Sequence, residues 1–420
     1  MSKAGAPRAP TPIAPRPAGL EVTPEVAWVL DRAFGPVGAP PGEPFDAKEA
    51  VGLATRLGVV SRIADRWGPI RLVGDLGAEA AGDATAAYRC EAVAATRLLA
   101  LARLVCRVAA REGIRAVPLK FAALCLSGAA SPASRPAADV DVLVADEDAS
   151  RLVAALAADG FLVSDGPAYA HQHPPLLHPR GGMLELHRTI PGVRLSPGTG
   201  EARLEDVVRE GLVREVAGEP GGEASLVPVP ALLAAHALAH GIYQHGLEPS
   251  AYPPLRMLAD LQDLARSAAA EAEADLPAAD EVLAAALRLV AAEVAAEDAR
   301  AAWALPGRLA REGGRAVLTD AESPEARLLG HFLRGALDPE YARSLKLRSI
   351  STLPSDRRGP LGLLRQAWDA VALEPAQTRK LYGAKTRTAH IAALALRPFH
   401  LAAKLVRYTL AAARQSRRER

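Results

Sequence analysis

Apolar positions along this chain change their spacing twice. Between residues 45 and 112 they recur at helical intervals. "DAKEAVGLATRLGVVSRIADRWG" reads as a helix that Asp46 can cap, and "DATAAYRCEAVAATRLLALARLVCRVAAREG" as a long helix ending near Gly113. From Ile114 the runs turn short and β-branched. "IRAVPL", "DVDVLV" and "FLVSD" are strand candidates, and "YAHQHPPLLHPRGGMLELHRTI" reads as a hairpin turning at "PRGG". A short helix from about Phe121 to Leu126 and a longer one over "DEDASRLVAALAADG" lie between these strands. Helical spacing returns over residues 226 to 310, in "PVPALLAAHALAHGIYQHG" and "PLRMLADLQDLARSA". Residues 311 to 380 are mixed, with loops expected near "DPEY" and "LPSDRRGP". A last helix, about Thr388 to Gln415, is apolar on one side and basic on the other. The expected fold is α+β: a small mixed sheet embedded in a mainly α-helical chain.

Residues 1–43 carry recurrent prolines without a hydrophobic period, so disorder is expected there, with room for a short helix over Pro24 to Phe34. The expected divisions are then a helical region at 44–112, an α/β core at 113–192, a helical C-terminal domain at 193–378 and a basic helix and tail at 379–420. Ala and Leu dominate the apolar half of the chain and aromatics make up 4%, which favours helix. Cys90, Cys106 and Cys125 form no Cys-x-x-Cys pair and read as buried reduced thiols, hence a cytoplasmic protein. No secretory signal or charge-free transmembrane stretch is expected.

Net charge is +2, but Arg379 to Arg420 holds 11 Lys/Arg against one acid, leaving −8 for the rest. Such a tail suits an acidic partner, either an anionic membrane surface or nucleic acid, unless it folds back on the acidic body or is simply a solvated face. No Walker A loop, Gly-x-Gly-x-x-Gly turn after a strand, serine nucleophile elbow or aromatic stacking platform is present in the sequence.

The chemistry concentrates in "ADVDVLVADEDA". Residues two apart on a strand share a face, so Asp139 and Asp141 lie together while Val140 and Val142 face the core. Buried carboxylates must be solvated, paired or metal-bound, and two that repel suit a divalent cation such as Mg²⁺ or Mn²⁺. The bland alternative is a solvent-facing edge strand with alternating acids. Asp146, Glu147 and Asp148 fit a helix N-terminus instead. In "MLELHR", Glu185 and His187 again share a strand face. Asp-x-Asp plus an acid on a neighbouring strand can hold metals that orient a nucleotide's phosphates and activate a hydroxyl. Whether His171, His173 or His178 faces Glu185 depends on hairpin register. His236 and His240 have zinc-compatible i, i+4 spacing with His245 beyond, though helix packing or a polar cleft wall is the simpler reading. Arg256, Asp260 and Asp263 suggest an ion-pair set along one helix face.

"GIRAVPLKFAAL", "SRPAADVDVLV", "LAADGF" and "LLHPRGGMLELHR", taken in order, resemble the uncharacterised nucleotidyltransferase family of bacteria, within the polymerase-beta-like nucleotidyltransferase superfamily. "HALAH" with "RMLADLQDLA", and "KLYGAKTRTAHIAALALRPF", look like its C-terminal parts, so the resemblance spans roughly residues 45 to 410. It implies Mg²⁺-dependent transfer of an NMP from an NTP to a hydroxyl of an unidentified small-molecule, sugar, peptide or protein acceptor. It implies Asp139, Asp141 and Glu185 as catalytic metal ligands, Glu185 alternatively as base, Lys120 and Arg135 as phosphate contacts, and His187 beside the nucleotide. The family's Gly after the lysine is Phe121 here. Gly would permit φ > 0 and close approach to phosphates, so Phe121 leaves open a catalytically weak or inactive nucleotide- or partner-binding protein on the same fold.

Overall fold

In a computed structural model, residues 22–38, 43–164, 170–196, 199–216, 224–246, 249, 252–272, 279–351 and 386–418 are described. Among the described residues, three helices come first: α1 (Pro24–Phe34), α2 (Ala47–Arg56) and α3 (Val60–Arg111). Thr23 caps α1 and Pro24 begins it, where a missing N–H costs nothing. Far from being a loose appendage, α1 buries Val29, Leu30, Ala33 and Phe34 in the main core. Asp46 caps α2 as expected, with Oδ1 accepting from the backbone N of Lys48 at 2.9 Å and of Glu49 at 3.1 Å. The helix expected to continue through Trp67 instead breaks at Gly58. That residue is left-handed (φ 71°), and a Cβ there would lie 2.8 Å from Pro253. α3 itself bends at left-handed Gly68 and Gly77.

Next comes a five-stranded mixed sheet. Its strands are β1 (Ala116–Pro118), β2 (Val140–Val144), β3 (Leu162–Val163), β4 (Leu176–Leu177) and β5 (Met183–His187), in the order β1-β2-β5-β4-β3. β2 runs antiparallel to β1 and parallel to β5. The hairpin expected at "PRGG" is the β4–β5 pair. β2 therefore has neighbours on both sides, which removes the edge-strand reading of its aspartates. Its β-branched residues suit that place: Val140, Val142 and Val144 pack with Leu184 and Leu186 of β5, the C-terminal part of α3, and Leu152 and Leu156 of helix α5 (Asp146–Ala158). Leu143 faces the other way, into the main helical core. Helix α4 (Lys120–Leu126) bridges β1 and β2.

Helix α6 (Leu204–Arg209) precedes an unanticipated antiparallel pair, β6 (Val213–Val216) with β7 (Ser225–Pro228). Helix expected from 226 thus starts at Pro230, as α7 (Pro230–Leu238), and runs into a π-helical turn over Ala239–Gln244. Then follow α8 (Pro254–Ala272), α9 (Ala279–Val290), α10 (Ala296–Glu312), α11 (Gly314–Thr319), α12 (Pro324–Leu337) and α13 (Pro339–Ser351). "DPEY" is no loop but the start of α13, where Asp338 Oδ1 accepts from the Glu340 and Tyr341 backbone nitrogens. "LPSDRRGP" lies outside the described residues. The basic helix, α14 (Arg387–Arg418), packs along α13. Among the described residues no helix is long and apolar enough to cross a membrane.

The expected ion-pair set along α8 is corrected. Its acids lie on a buried face and reach across to other elements: Asp263 takes Arg62 of α3 at 2.8 and 2.9 Å, with Arg266 a more distant partner at 3.6 Å. Asp260 takes Arg135, and Arg256 lies over the Tyr252 ring at 5.7 Å. Of the cysteines, all free, Cys90 is exposed rather than buried. Burial pushes the Cys125 thiol up to about 12 and Cys106 up to about 11.

Candidate active site

The parallel register of β2 and β5 sets Asp141 opposite Glu185 and Leu143 opposite His187. Because the side-chain period is two, Asp139, Asp141, Glu185 and His187 all project to the face opposite the valines. Asp141 is 2% exposed. A carboxylate so buried needs cationic partners, and it has two: Lys120 Nζ at 2.8 Å and His187 Nε2 at 2.8 Å, both on Oδ1. The second oxygen of the set, Glu185 Oε2, lies 3.8 Å from His187 Nε2. Glu185 and Lys120 keep partial exposure, with side chains at 17% and 20%.

Lys120 reaches Asp141 through an unusual backbone. At φ 46° it is the one left-handed non-glycine residue among those described. Leu119 N donates to the Asp141 carbonyl at 2.9 Å, which fixes the turn against β2. Phe121, where the family glycine was expected, has no positive φ. Its ring is buried in the small core between sheet, α3 and α5. The backbone freedom expected of position 121 is thus needed one residue earlier.

Burial alone would raise Asp141, but Lys120 and His187 hold its carboxyl well below the usual range. Burial, and then the adjacent Asp141 carboxylate, push Asp139 up to about 6. Burial works against a charged His187, yet its hydrogen bonds to Asp141 and Glu185 raise it above an ordinary histidine. Likewise the Asp141 charge outweighs burial at Lys120 and holds its ammonium above the ordinary lysine value.

Arg135 is placed differently from expectation. Its guanidinium is buried and grips Asp260 as a fork, Nε–Oδ1 at 2.6 Å and Nη2–Oδ2 at 2.8 Å. It also lies over Phe121 at 5.7 Å. The fork that would read a phosphate is engaged in tying the turn before β2 to α8. Of the hairpin histidines, His171 comes beside the site, its ring 5.6 Å from that of His187. His173 instead sits with Asp146 (3.3 Å) and Arg188, and His178 packs edge-on against Phe161.

Sequence reasoning missed what lies behind Lys120. There α7 and the π-helical turn bring His236 and His240 to a cavity of about 20 Å³, shared with Lys120, Arg135, Tyr252 and Asp260. Burial first, and then the Lys120 charge, push His236 down to about 3 and hold His240 well below the ordinary value. Both His236 ring nitrogens are buried without a hydrogen-bond partner among the described residues. The i, i+4 histidine spacing was visible; nothing local in sequence brought these histidines beside Asp141 of β2 and His187 of β5, which lie 49 or more residues earlier.

A group able to share a metal ion is formed by Asp141, Glu185 and His187, whose donor atoms lie within 4.8 Å of one another. Two carboxylates and an imidazole, flanked by the raised carboxyl of Asp139, fit a hard divalent cation: oxygen donors predominate, and among the described residues Asp139 and Glu185 have no bonded lysine or arginine counterpart like that of Asp141. Neither a curated protein nor a solved structure matches this chain. A model of one family, described as uncharacterised nucleotidyltransferase, matches residues 43–295, a span that includes every residue of the acidic site. That match takes in well over half of the chain and stops short of the roughly 410 that the resemblance suggested, and on it the chain belongs to the uncharacterised nucleotidyltransferase family.

Proposed function

We propose that the protein is a nucleotidyltransferase of the polymerase-beta-like kind that uses Mg²⁺ or Mn²⁺. It would transfer an NMP from an NTP to a hydroxyl of a small molecule, sugar, peptide or protein. The observation that carries this reading is the pairing of Asp141 with Glu185 on adjacent parallel strands, with Asp139 just ahead of β2 and Lys120 beside them. The hydroxyl oxygen forms a bond to the α-phosphorus, the bond to the leaving pyrophosphate breaks, and the hydroxyl proton passes to a base.

Asp139, Asp141 and Glu185 would hold the metal, which when bound supplies charge stabilisation for the triphosphate and a more acidic hydroxyl. Glu185, partly exposed, is the carboxylate placed to take the proton where it is not a ligand. Lys120 is a point charge for phosphate oxygens. His187 donates to Asp141 Oδ1 and holds that carboxylate's orientation. Arg135 is assigned to positioning through Asp260 rather than to phosphate. Three free thiols accord with a reducing, cytoplasmic setting.

A weak or inactive nucleotide-binding protein is the second reading, favoured by one observation: Asp141 already has its charge met by Lys120 and His187. Calorimetric titration of the four NTPs with Mg²⁺ tests the site, using wild type, Asp139→Asn and Glu185→Gln. Both positions are partly exposed, so folding is spared. Mg²⁺-dependent binding lost in both variants supports the site; binding indifferent to both overturns it. Pyrophosphate release from a bound NTP then separates the transferase from the second reading.

A further inference from the structure

The acidic site leaves α14 without a role. This helix presents three faces. One packs on α13, with Ala393 buried and His390, Leu394, Arg397 and Leu401 half-buried. On another, Leu396, Phe399, Val406 and Leu410 are all exposed, Phe399 to 75%. At 100° per residue those four fall within an arc of roughly 80°. Ile391, also exposed, borders the same arc. The third face carries His400, Lys404 and Arg407 beside the apolar one. From Arg387 to Arg418 there are seven Lys/Arg and no Asp or Glu.

We propose that α14 is a membrane-surface helix whose outward face lies on an anionic bilayer. Water is a poor neighbour for Phe399 and Leu396, and a contiguous exposed apolar stripe marks a contact surface. An interface of acyl chains beneath anionic headgroups satisfies both faces at once, the apolar one by burial and the basic one by charge. Nucleic acid would meet Lys404 and Arg407 but leave Leu396 and Phe399 in water. A second copy of α14 would bring two acid-free basic faces together, which repel.

Co-sedimentation of the full-length protein with vesicles tests this. One set of vesicles is phosphatidylcholine alone and the other is phosphatidylcholine mixed with phosphatidylglycerol. Wild type is expected to pellet with the mixed vesicles and to be released by salt. Leu396→Glu/Phe399→Glu is expected to lose on the order of tenfold or more in binding, since it removes two inserted side chains. Lys404→Glu/Arg407→Glu is expected to lose binding to the mixed vesicles by a comparable factor. All four residues are exposed, so circular dichroism should match wild type. No pelleting of wild type, equal pelleting of the Leu396/Phe399 variant, or tight nucleic-acid binding that this variant leaves intact would each overturn the proposal.

Discussion

Lys120 holds Asp141 at 2.8 Å from a left-handed turn, so one partly exposed cation neutralises the deepest carboxylate of the site. His187 completes the arrangement from the next strand. The consequence is a division of labour among the acids. Asp141 is fixed by its two partners, while Asp139 and Glu185 have no lysine or arginine ion pair among the described residues.

That division predicts unequal effects. Asp139→Asn should reduce Mg²⁺-dependent NTP turnover by more than the roughly 10–100-fold typical of losing a group one step removed from a metal. His187→Ala should fall within that roughly 10–100-fold range, and His187→Gln, which keeps a donor for Asp141, should recover part of it. Steady-state kinetics at saturating Mg²⁺ would read the difference; equal losses in all three would refute the separate roles.

The glycine expected at position 121 should not tighten nucleotide binding if introduced there. Phe121→Gly removes a ring buried in the small core, and large-to-small changes of this kind cost about 3–5 kcal/mol. Thermal denaturation should show a lower midpoint, with NTP affinity at low temperature unchanged. Tighter NTP binding in the variant would show that Phe121 obstructs the site after all.

Arg135 and Asp260 should behave as a structural pair. Arg135→Met leaves a buried carboxylate unpaired and should cost about 3–5 kcal/mol in denaturant unfolding, whereas Arg135→Met/Asp260→Leu should recover most of that. A raised KM for NTP in both the single and the double variant, without loss of stability, would return Arg135 to the phosphate.

How much of this was legible beforehand depended on range. The strand carrying Asp141, with Asp139 one residue before it, the hairpin at Arg180–Gly181 and the Asp46 cap follow from local pattern, and each is present; the helix over Pro24–Phe34 was only allowed for within a segment expected to be disordered. Arg135 shows where pattern stops. Its partner is 125 residues away on a helix whose acids looked self-sufficient beside Arg256. Burial of that helix face, which sequence does not display, is what forces Asp260 and Asp263 to find arginines elsewhere. Likewise the β6–β7 pair is four residues per strand, too short for alternation to announce it.

Histidine burial gives a pH dependence of stability. His236 is neutral in the folded chain, with its pKa depressed to about 3, while an unfolded histidine titrates near 6.5. The depressed group contributes stability that is present above about pH 6.5 and is lost as pH falls toward about 3, by up to roughly 1.4 kcal/mol per pH unit in that window. Urea unfolding between those limits should show a steeper decline for wild type than for His236→Leu. Parallel curves would mean that His236 is protonated or solvated in the folded state.

The family match begins at residue 43, but the folded body does not. α1 precedes that boundary and works as a plug: Asp31 accepts from Gly314 N at 2.7 Å, Arg32 pairs with Asp75 at 2.6 Å, and Trp67 Nε1 donates to the Arg32 carbonyl at 3.0 Å. Starting the chain at residue 43, where the family match begins, would pull that plug and open α3, α10 and α11 to water. A tag fused at the N-terminal side therefore belongs ahead of Pro24, not between α1 and α2.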